Sequence, residues 1–566
     1  MRNTCHLMGK NEWEVPLKKS FHHVSLLVAM LMLVSCSPKT IQQAPPSGGV
    51  ASISEKDLYH HMSFLASDEM QGRDTGDQSL EIAARYIATE LEKLNLTPVG
   101  DDSTYFQRYT LEKQAVSLSS SMSVSVDGIE TTFEFGKQFV SLPMGGGGGS
   151  QAIEGEVVFA GYGIYAPDFG YDSYQGIGAK DKIVVIMGSE PKNEEGNSIF
   201  DSTKATSQFA QFPAKMQAAM ASGAKAFIFV SAPGDDDERA NAQFEQIANF
   251  MKKPRFKLPG GPAQGMGGNA LAMFAKPELA DALLAGTGKT LADIHAELKS
   301  QKKPQPLLLE NVNAKINVEV EDTEIEVPNV LALLEGSDPV LKNEVVVYTA
   351  HFDHVGTNEK GEIFNGADDD GSGTTALLEI AEAYALNNER PKRSVLFLWV
   401  SGEEKGLLGS RYYSENPKIA IEQTVANINM DMVGRVRAVD DTSKANEMLC
   451  LAKDLFVVGG HQSSELKKLN ELAAQEVGIN IDYSLNDLNH PQRIYYRSDH
   501  YNFARKGVPV LFYTTGLHVD YHKATDTPDK ISYTKIKDVA SMGYVAGWKV
   551  ANQEKRIVVD NPLELN

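Results

Sequence analysis

Apolar and polar positions along the chain follow two different rhythms. From Ser54 to Leu65, and again from Leu80 to Leu94, apolar residues recur at helical spacing. Ile82, Ala83, Tyr86, Ile87, Leu91 and Leu94 mark one face of the second predicted helix. Strand-like alternation follows from Tyr109 to Phe139. Two short apolar runs, Ile183 to Met187 and Ala226 to Val230, read as buried strands with a helix from Ala214 to Ala221 between them. From Pro328 onward the strand signals are strongest and alternate with helices. Val345 to Ala350, Val395 to Ser401, Val425 to Met430 and Val508 to Tyr513 are predicted strands, and Thr374 to Leu386 a helix. Alternating strands and helices imply an α/β fold whose mixed, mostly parallel central sheet has helices on both faces. Such sheets carry their sites beyond the carboxyl ends of the strands.

Composition narrows the picture. The 566 residues imply two or three domains, and 42% hydrophobic with 23% charged residues excludes a largely disordered or fibrous chain. Acidic residues number 75 against 54 basic, a formal charge of −21, with no basic stripe, so nucleic acid is excluded as a partner. Cys5, Cys36 and Cys450 are too few for a disulfide scaffold.

The amino-terminal segment reads as targeting rather than structure. Val24 to Val34 is an apolar run behind Lys18 and Lys19, of signal-peptide length and too short to span a membrane. It ends Leu33-Val34-Ser35-Cys36, which resembles the lipobox of bacterial lipoproteins and implies cleavage before Cys36 and lipidation of that cysteine. Cys450 is then left unpaired. The polar stretch after Cys36 reads as a tether in the cell envelope. The expected organisation is a signal peptide over 1–35, the lipidated cysteine and tether over 36–51, an amino-terminal catalytic part over 52–150, a smaller insert over 151–315 and the main catalytic part over 316–566. Within it, Gly145 to Gly149 lacks the lysine of a P-loop and reads as a junction. Pro259 to Gly268 reads as a loose loop, and Asp235-Asp236-Asp237 as a solvated one.

The chemistry gathers at the strand ends. After Ala350 comes His351-Phe352-Asp353-His354; Asn365 to Gly373 (NGADDDGSG) opens the next helix; Gly402-Glu403-Glu404 follows Ser401; Asp431 follows Met430; Asp520-Tyr521-His522 follows the last strand. Each alone has an ordinary reading: a helix N-cap run for Asp368 to Asp370, a solvated turn for the glutamates. Their joint arrival on one rim does not. Clustered carboxylates need compensating cations, and imidazole with carboxylate but no thiolate suits zinc or a similar divalent ion. In an extended segment, adjacent Glu403 and Glu404 point in opposite directions, so one can bind metal while the other serves as a base.

These stretches, with Leu58 to Thr75 as lead-in, resemble the co-catalytic di-zinc exopeptidases of metallopeptidase family 28, which include leucyl-type aminopeptidases and glutamate carboxypeptidase; the middle insert resembles a protease-associated domain. The resemblance implies two Zn2+, with Co2+ or Mn2+ as possible occupants of the same ligands. It implies that His351 and Asp431 bind one ion, His522 and Glu404 the other, and that Asp369 bridges them. It further implies Glu403 as general base, Asp353 orienting His351, Tyr521 stabilising the oxyanion, and Asp499 in support. The expected activity is aminopeptidase action on peptide substrates. A glutamate-type carboxypeptidase, for which Arg435 or Arg497 would hold the free carboxylate, and a catalytically silent receptor-like protein are the alternatives. A single-metal glutaminyl cyclase, related in fold, lacks such an insert. Membrane contact is expected only through Cys36, and the oligomeric state is left open.

Overall fold

The computed structural model describes residues 49–142, 149–233, 237–260 and 271–563. The leader, Cys36 and its tether therefore lie outside the described residues. So do most of the glycine run, Asp235 and Asp236, and most of the Pro259–Gly268 loop. Among the described residues no helix is long and apolar enough to cross a membrane, and Cys450 is a free, buried cysteine.

Helices α1 (Glu55–Leu65) and α2 (Gln78–Lys93) come first. The α2 face that turns inward is Leu80, Ala83, Ala84, Ile87, Ala88 and Leu91; Ile82, expected on it, is exposed. The larger sheet is built from β1 (Phe106–Val116), β2 (Arg255–Lys257), β3 (Val320–Leu334), β4 (Val345–His351), β5 (Ser394–Val400), β6 (Thr424–Met430), β7 (Asp454–Gly459), β8 (Asn480–Asp482) and β9 (Val510–Thr514). Their spatial order is β2-β1-β3-β5-β4-β6-β9-β7-β8, with Thr97–Pro98 paired to β3. The sheet is mixed. Its central β5-β4-β6-β9 neighbours are parallel, whereas β2, β1, β3 and β5 are antiparallel to one another.

The central strands form here because their sequences are apolar on both faces: VVVYTAH and SVLFLWV are buried at every position. Alternate side chains enter two separate cores. Val346, Tyr348, Phe397 and Trp399 join one, and Val345, Val347, Leu396 and Leu398 the other. Helix α3 (Gly371–Ala385) and the long α5 (Tyr533–Asn552), with α4 (Ser464–Val477), cover the first face. Asp370 caps α3, its carboxylate accepting the N–H of Gly373 at 2.8 Å.

A second, eight-stranded sheet runs in the order 129–134, 121–126, 307–318, 151–159, 183–187, 226–230, 271–275, 139–142. It corrects the expected boundaries in two places. Three of its strands come from 121–142, assigned by sequence to the catalytic part, because Met122, Val124, Phe133 and Phe139 are buried in its core. Conversely, Arg255–Lys257 leaves the insert and pairs with β1 of the larger sheet.

Candidate metal centre

The site lies at the carboxyl ends of the parallel strands. His351 is the last residue of β4. Asp369 sits in the loop before α3, where Gly366 has φ +60° and leaves no room for a side chain: a Cβ there would lie 2.4 Å from the Asp369 carbonyl oxygen. Glu403 and Glu404 follow β5 after Gly402, whose φ is +68°. Asp431 follows β6. Tyr521 and His522 lie in the loop after β9.

Two clusters of donors result. Around His351 Nε2 lie Asp369 Oδ1 at 3.3 Å, Asp431 Oδ1 at 3.6 Å and Glu403 Oε2 at 3.9 Å. Around His522 Nε2 lie Glu404 Oε2 at 3.0 Å and Asp369 Oδ2 at 3.1 Å. Asp369 thus turns one oxygen to each histidine, while its neighbours turn elsewhere. Asp368 accepts the main-chain N–H of Gly434 at 2.6 Å, and Asp370 accepts those of Met432 and His351 at 3.1 and 3.2 Å. The structure brings together all five residues expected as ligands.

The donor set fits divalent ions. His351, His522, Asp369 and Glu404 each carry a buried ring nitrogen or carboxylate oxygen with no hydrogen-bond partner, the signature of atoms aimed at a ligand. Electrostatics agree. Burial opposes charge on both rings, but the carboxylates outweigh it, Glu403 and Asp431 first around His351, holding it well above its usual range and pushing His522 up to about 10. Burial likewise opposes ionisation of Glu404, and Asp369 adds to it, yet the His354 and His522 contacts hold Glu404 down to about 2. Positive charge is what these carboxylates demand.

One expectation changes. Glu403 and Glu404 are not in extended backbone, so strand alternation does not separate them. They lie in a turn in which the Glu403 carbonyl accepts the N–H groups of Gly406 and Leu407 at 2.8 and 2.9 Å. His351 Nδ1 lies 3.1 Å from the Asp353 main-chain oxygen and 3.8 Å from its carboxylate, which also accepts the N–H of Glu403 at 3.2 Å and the Thr75 hydroxyl at 2.8 Å. The Asp431 carboxylate accepts from the Ser498 hydroxyl at 2.6 Å. Ser498 in turn accepts from Asn429, which accepts from Thr349. Asp499 is buried beside them, and burial pushes its carboxyl up to about 7.

Sequence reading missed two residues. His354 Nδ1 lies 2.8 Å from Glu404 Oε1 and 3.8 Å from Asp369 Oδ2, so His354, Asp369 and Glu404 also form a ligand-competent trio. Its signal was its place three residues after His351. Arg73 is fully buried, and its guanidinium donates to the carbonyls of Leu65, Phe352, Asn365 and Gly366, fastening the lead-in segment to the loops after β4 and before α3. Nothing in the local pattern marked it.

A partly open pocket adjoins the ligands. Asp369, Glu403 and Asp431 line it together with the apolar Met432, Leu485, Ile494, Phe512 and Leu517 and the polar Arg497, Thr514 and Tyr521. Tyr521 stacks on His522 at 3.9 Å, and Arg497 donates to its hydroxyl at 3.2 Å. Arg435 is committed elsewhere, paired with Asp520 at 2.6 Å and Asp526 at 3.4 Å.

A mixed α/β scaffold carries on its strand ends two adjoining imidazole–carboxylate clusters whose donors suit divalent ions. Residues 329–545 match the sequence model of peptidase family M28. Among curated relatives, a probable zinc metalloprotease of Leptosphaeria maculans is 26% identical over 39% of this chain and 56% of its own length. Aminopeptidase YwaD of Bacillus subtilis is 26% identical over 38% of this chain and 42% of its own. The chain thus spans about half the length of the curated relatives it matches. An aminopeptidase from Aneurinibacillus sp. strain AM-1 shares the fold at a TM-score of 0.52, with 19% identity, over 91% of this chain and 98% of that one.

Proposed function

We propose that the protein is a zinc-dependent aminopeptidase that releases bulky apolar residues from the amino ends of peptides. The carrying observation is the pocket: an apolar wall of Leu485, Ile494, Phe512 and Leu517 ends at the carboxylates of the ligand clusters. Such a wall accepts an aliphatic or aromatic side chain. A glutamate-type carboxypeptidase needs cations along the pocket: Arg435 is consumed by Asp520 and Asp526, which leaves Arg497, a pocket-lining residue that donates to Tyr521, as the one residue of that pair in support of this second reading.

His351, Asp431 and Asp369 would hold one Zn2+, and His522, Glu404 and Asp369 the other. Bound there, the ions would acidify a water and polarise the scissile carbonyl. The rest is done by side chains. Glu403, at the edge of the His351 cluster with Oε2 3.9 Å from the ring, is placed to take a proton from the attacking water and return it to the leaving amine. The Tyr521 hydroxyl, held by Arg497, donates to the developing oxyanion. The lipobox-like segment supports a tether at Cys36 in the bacterial envelope; incorporation of labelled fatty acid that a Cys36→Ala variant abolishes would establish it.

The test is hydrolysis of free and N-blocked dipeptide amides by the zinc-loaded protein, with a chelator control. Cleavage of free-amine substrates alone, lost on chelation, is expected. Cleavage that requires a free carboxyl terminus would establish a carboxypeptidase. No cleavage with zinc bound would establish a silent binding protein.

A further inference from the structure

The segment Arg255–Lys257 belongs in sequence to the insert, yet it forms the outer strand β2 of the catalytic sheet. It pairs antiparallel with β1 as Arg255 to Gln114, Phe256 to Lys113 and Lys257 to Glu112. Lys257 Nζ adds an ion pair to Glu112 at 2.7 Å. Phe256 and Leu258 are each 6% exposed and sit in the catalytic core rather than that of the insert. The insert therefore completes the catalytic domain with two side chains.

Phe256 also reaches toward the catalytic turn. Its ring lies beneath two ammonium groups, Lys405 Nζ at 5.6 Å and Lys113 Nζ at 5.9 Å from its centroid. Lys405 directly follows Glu403-Glu404. Its Nζ lies 2.5 Å from Asp74 Oδ1. Asp74 adjoins Thr75, whose hydroxyl binds the Asp353 carboxylate, and that carboxylate accepts the N–H groups of Glu403 and Glu404. The glutamate turn is thus held at its start by Asp353 and at its end by Lys405. A lysine on a four-carbon stem holds one position only when its ammonium is confined, and an aromatic face with a carboxylate confines it.

We propose that Phe256 is a positioning residue: from the insert, it fixes Lys405 on Asp74 and so sets the Glu403–Glu404 turn. The insert acts on the reaction by this route, whatever else it binds. The proposal rests on the metallopeptidase reading and deepens it.

The experiment compares Phe256→Leu, which keeps an apolar side chain and removes the ring, with Phe256→Tyr, which keeps the ring, in the full chain. Phe256→Leu is expected to lower kcat about three- to tenfold with KM held, and to release zinc to a chromophoric chelator at correspondingly lower chelator concentration; Phe256→Tyr restores both. Lys405→Met is expected to give the same losses, and adding it to Phe256→Leu no further loss. Wild-type kcat and zinc retention in Phe256→Leu would overturn the proposal even if its Tm fell, as would losses that simply add. If Phe256→Leu does not fold, Lys405→Met decides alone: unchanged kcat and zinc retention overturn, and parallel losses support. If the wild type cuts no peptide, the aminopeptidase reading fails, yet the chelator curves still decide the role of Phe256.

Discussion

The Asp353 carboxylate accepts the main-chain N–H of Glu403 at 3.2 Å. Asp353 is fully buried after β4 and Glu403 begins the turn after β5, so a charge on one strand end sets the backbone of the next. Asp353→Asn keeps the size but replaces one acceptor oxygen with an NH2 group. Wherever that group faces Glu403, Glu404 or Thr75, an acceptor is lost. Steady-state kinetics should show kcat reduced about 10- to 100-fold, with the melting temperature lowered but folding cooperative.

Glu403 stands at the loose edge of the His351 cluster, 3.9 Å from the ring where Asp369 is at 3.3 Å and Asp431 at 3.6 Å. A base and a ligand respond differently to Glu403→Gln. A base gives a kcat loss of about 10³-fold with two zinc ions still bound per chain. Zinc counted by atomic absorption beside the rate is the check; loss of one ion would make Glu403 a ligand instead.

The apolar pocket wall gives a selective handle. Ile494→Trp fills part of the pocket that Phe512 and Leu517 also line, and Ile494 is not among the ligand residues. The expected outcome is a KM for leucine and phenylalanine amides raised by about tenfold or more, with alanine amide little affected. Equal losses for all three would place the terminal side chain elsewhere.

Far from the metal centre, Glu379 on α3 is buried, and burial, followed by Glu382 and Asp57, pushes its carboxyl from 4.5 up to about 8 against the opposing bond from the Ser54 N–H. The folded state then binds more protons than the unfolded one between about pH 4.5 and 8, so this group lowers stability as pH rises through that window. Glu379→Gln keeps the acceptor for Ser54 and removes the charge. Denaturant unfolding should show little difference near pH 4 and a gain on the order of 1–3 kcal/mol at pH 9. A variant no more stable at pH 9 would contradict the buried charge.

Much of the catalytic half was legible in the sequence. Long fully apolar runs such as VVVYTAH and SVLFLWV can only be strands buried on both faces, so their ends, and with them His351, Glu403 and Asp431, followed from local pattern. The chemistry of the site was legible for the same reason: only imidazole and carboxylate groups arrive at that rim. The insert boundary was not, because strands 121–126 and 129–134 look alike whichever sheet they join, and the choice is made by partners nearly 190 residues away, Val126 opposite Val312 among them.

Sequence alone therefore determined the residue types and their place on the strand ends, since those depend on neighbours a few positions apart. Tertiary structure alone decided which atoms meet. It brought the Asp353 carboxylate to the glutamate turn, set His354 against Glu404, fastened Arg73 to the Phe352, Asn365 and Gly366 carbonyls and carried Phe256 from the insert onto the catalytic sheet. Each of these joins segments separated by tens to hundreds of residues, and the direction of a side chain across such a gap is fixed by packing of the whole core, which no local pattern encodes.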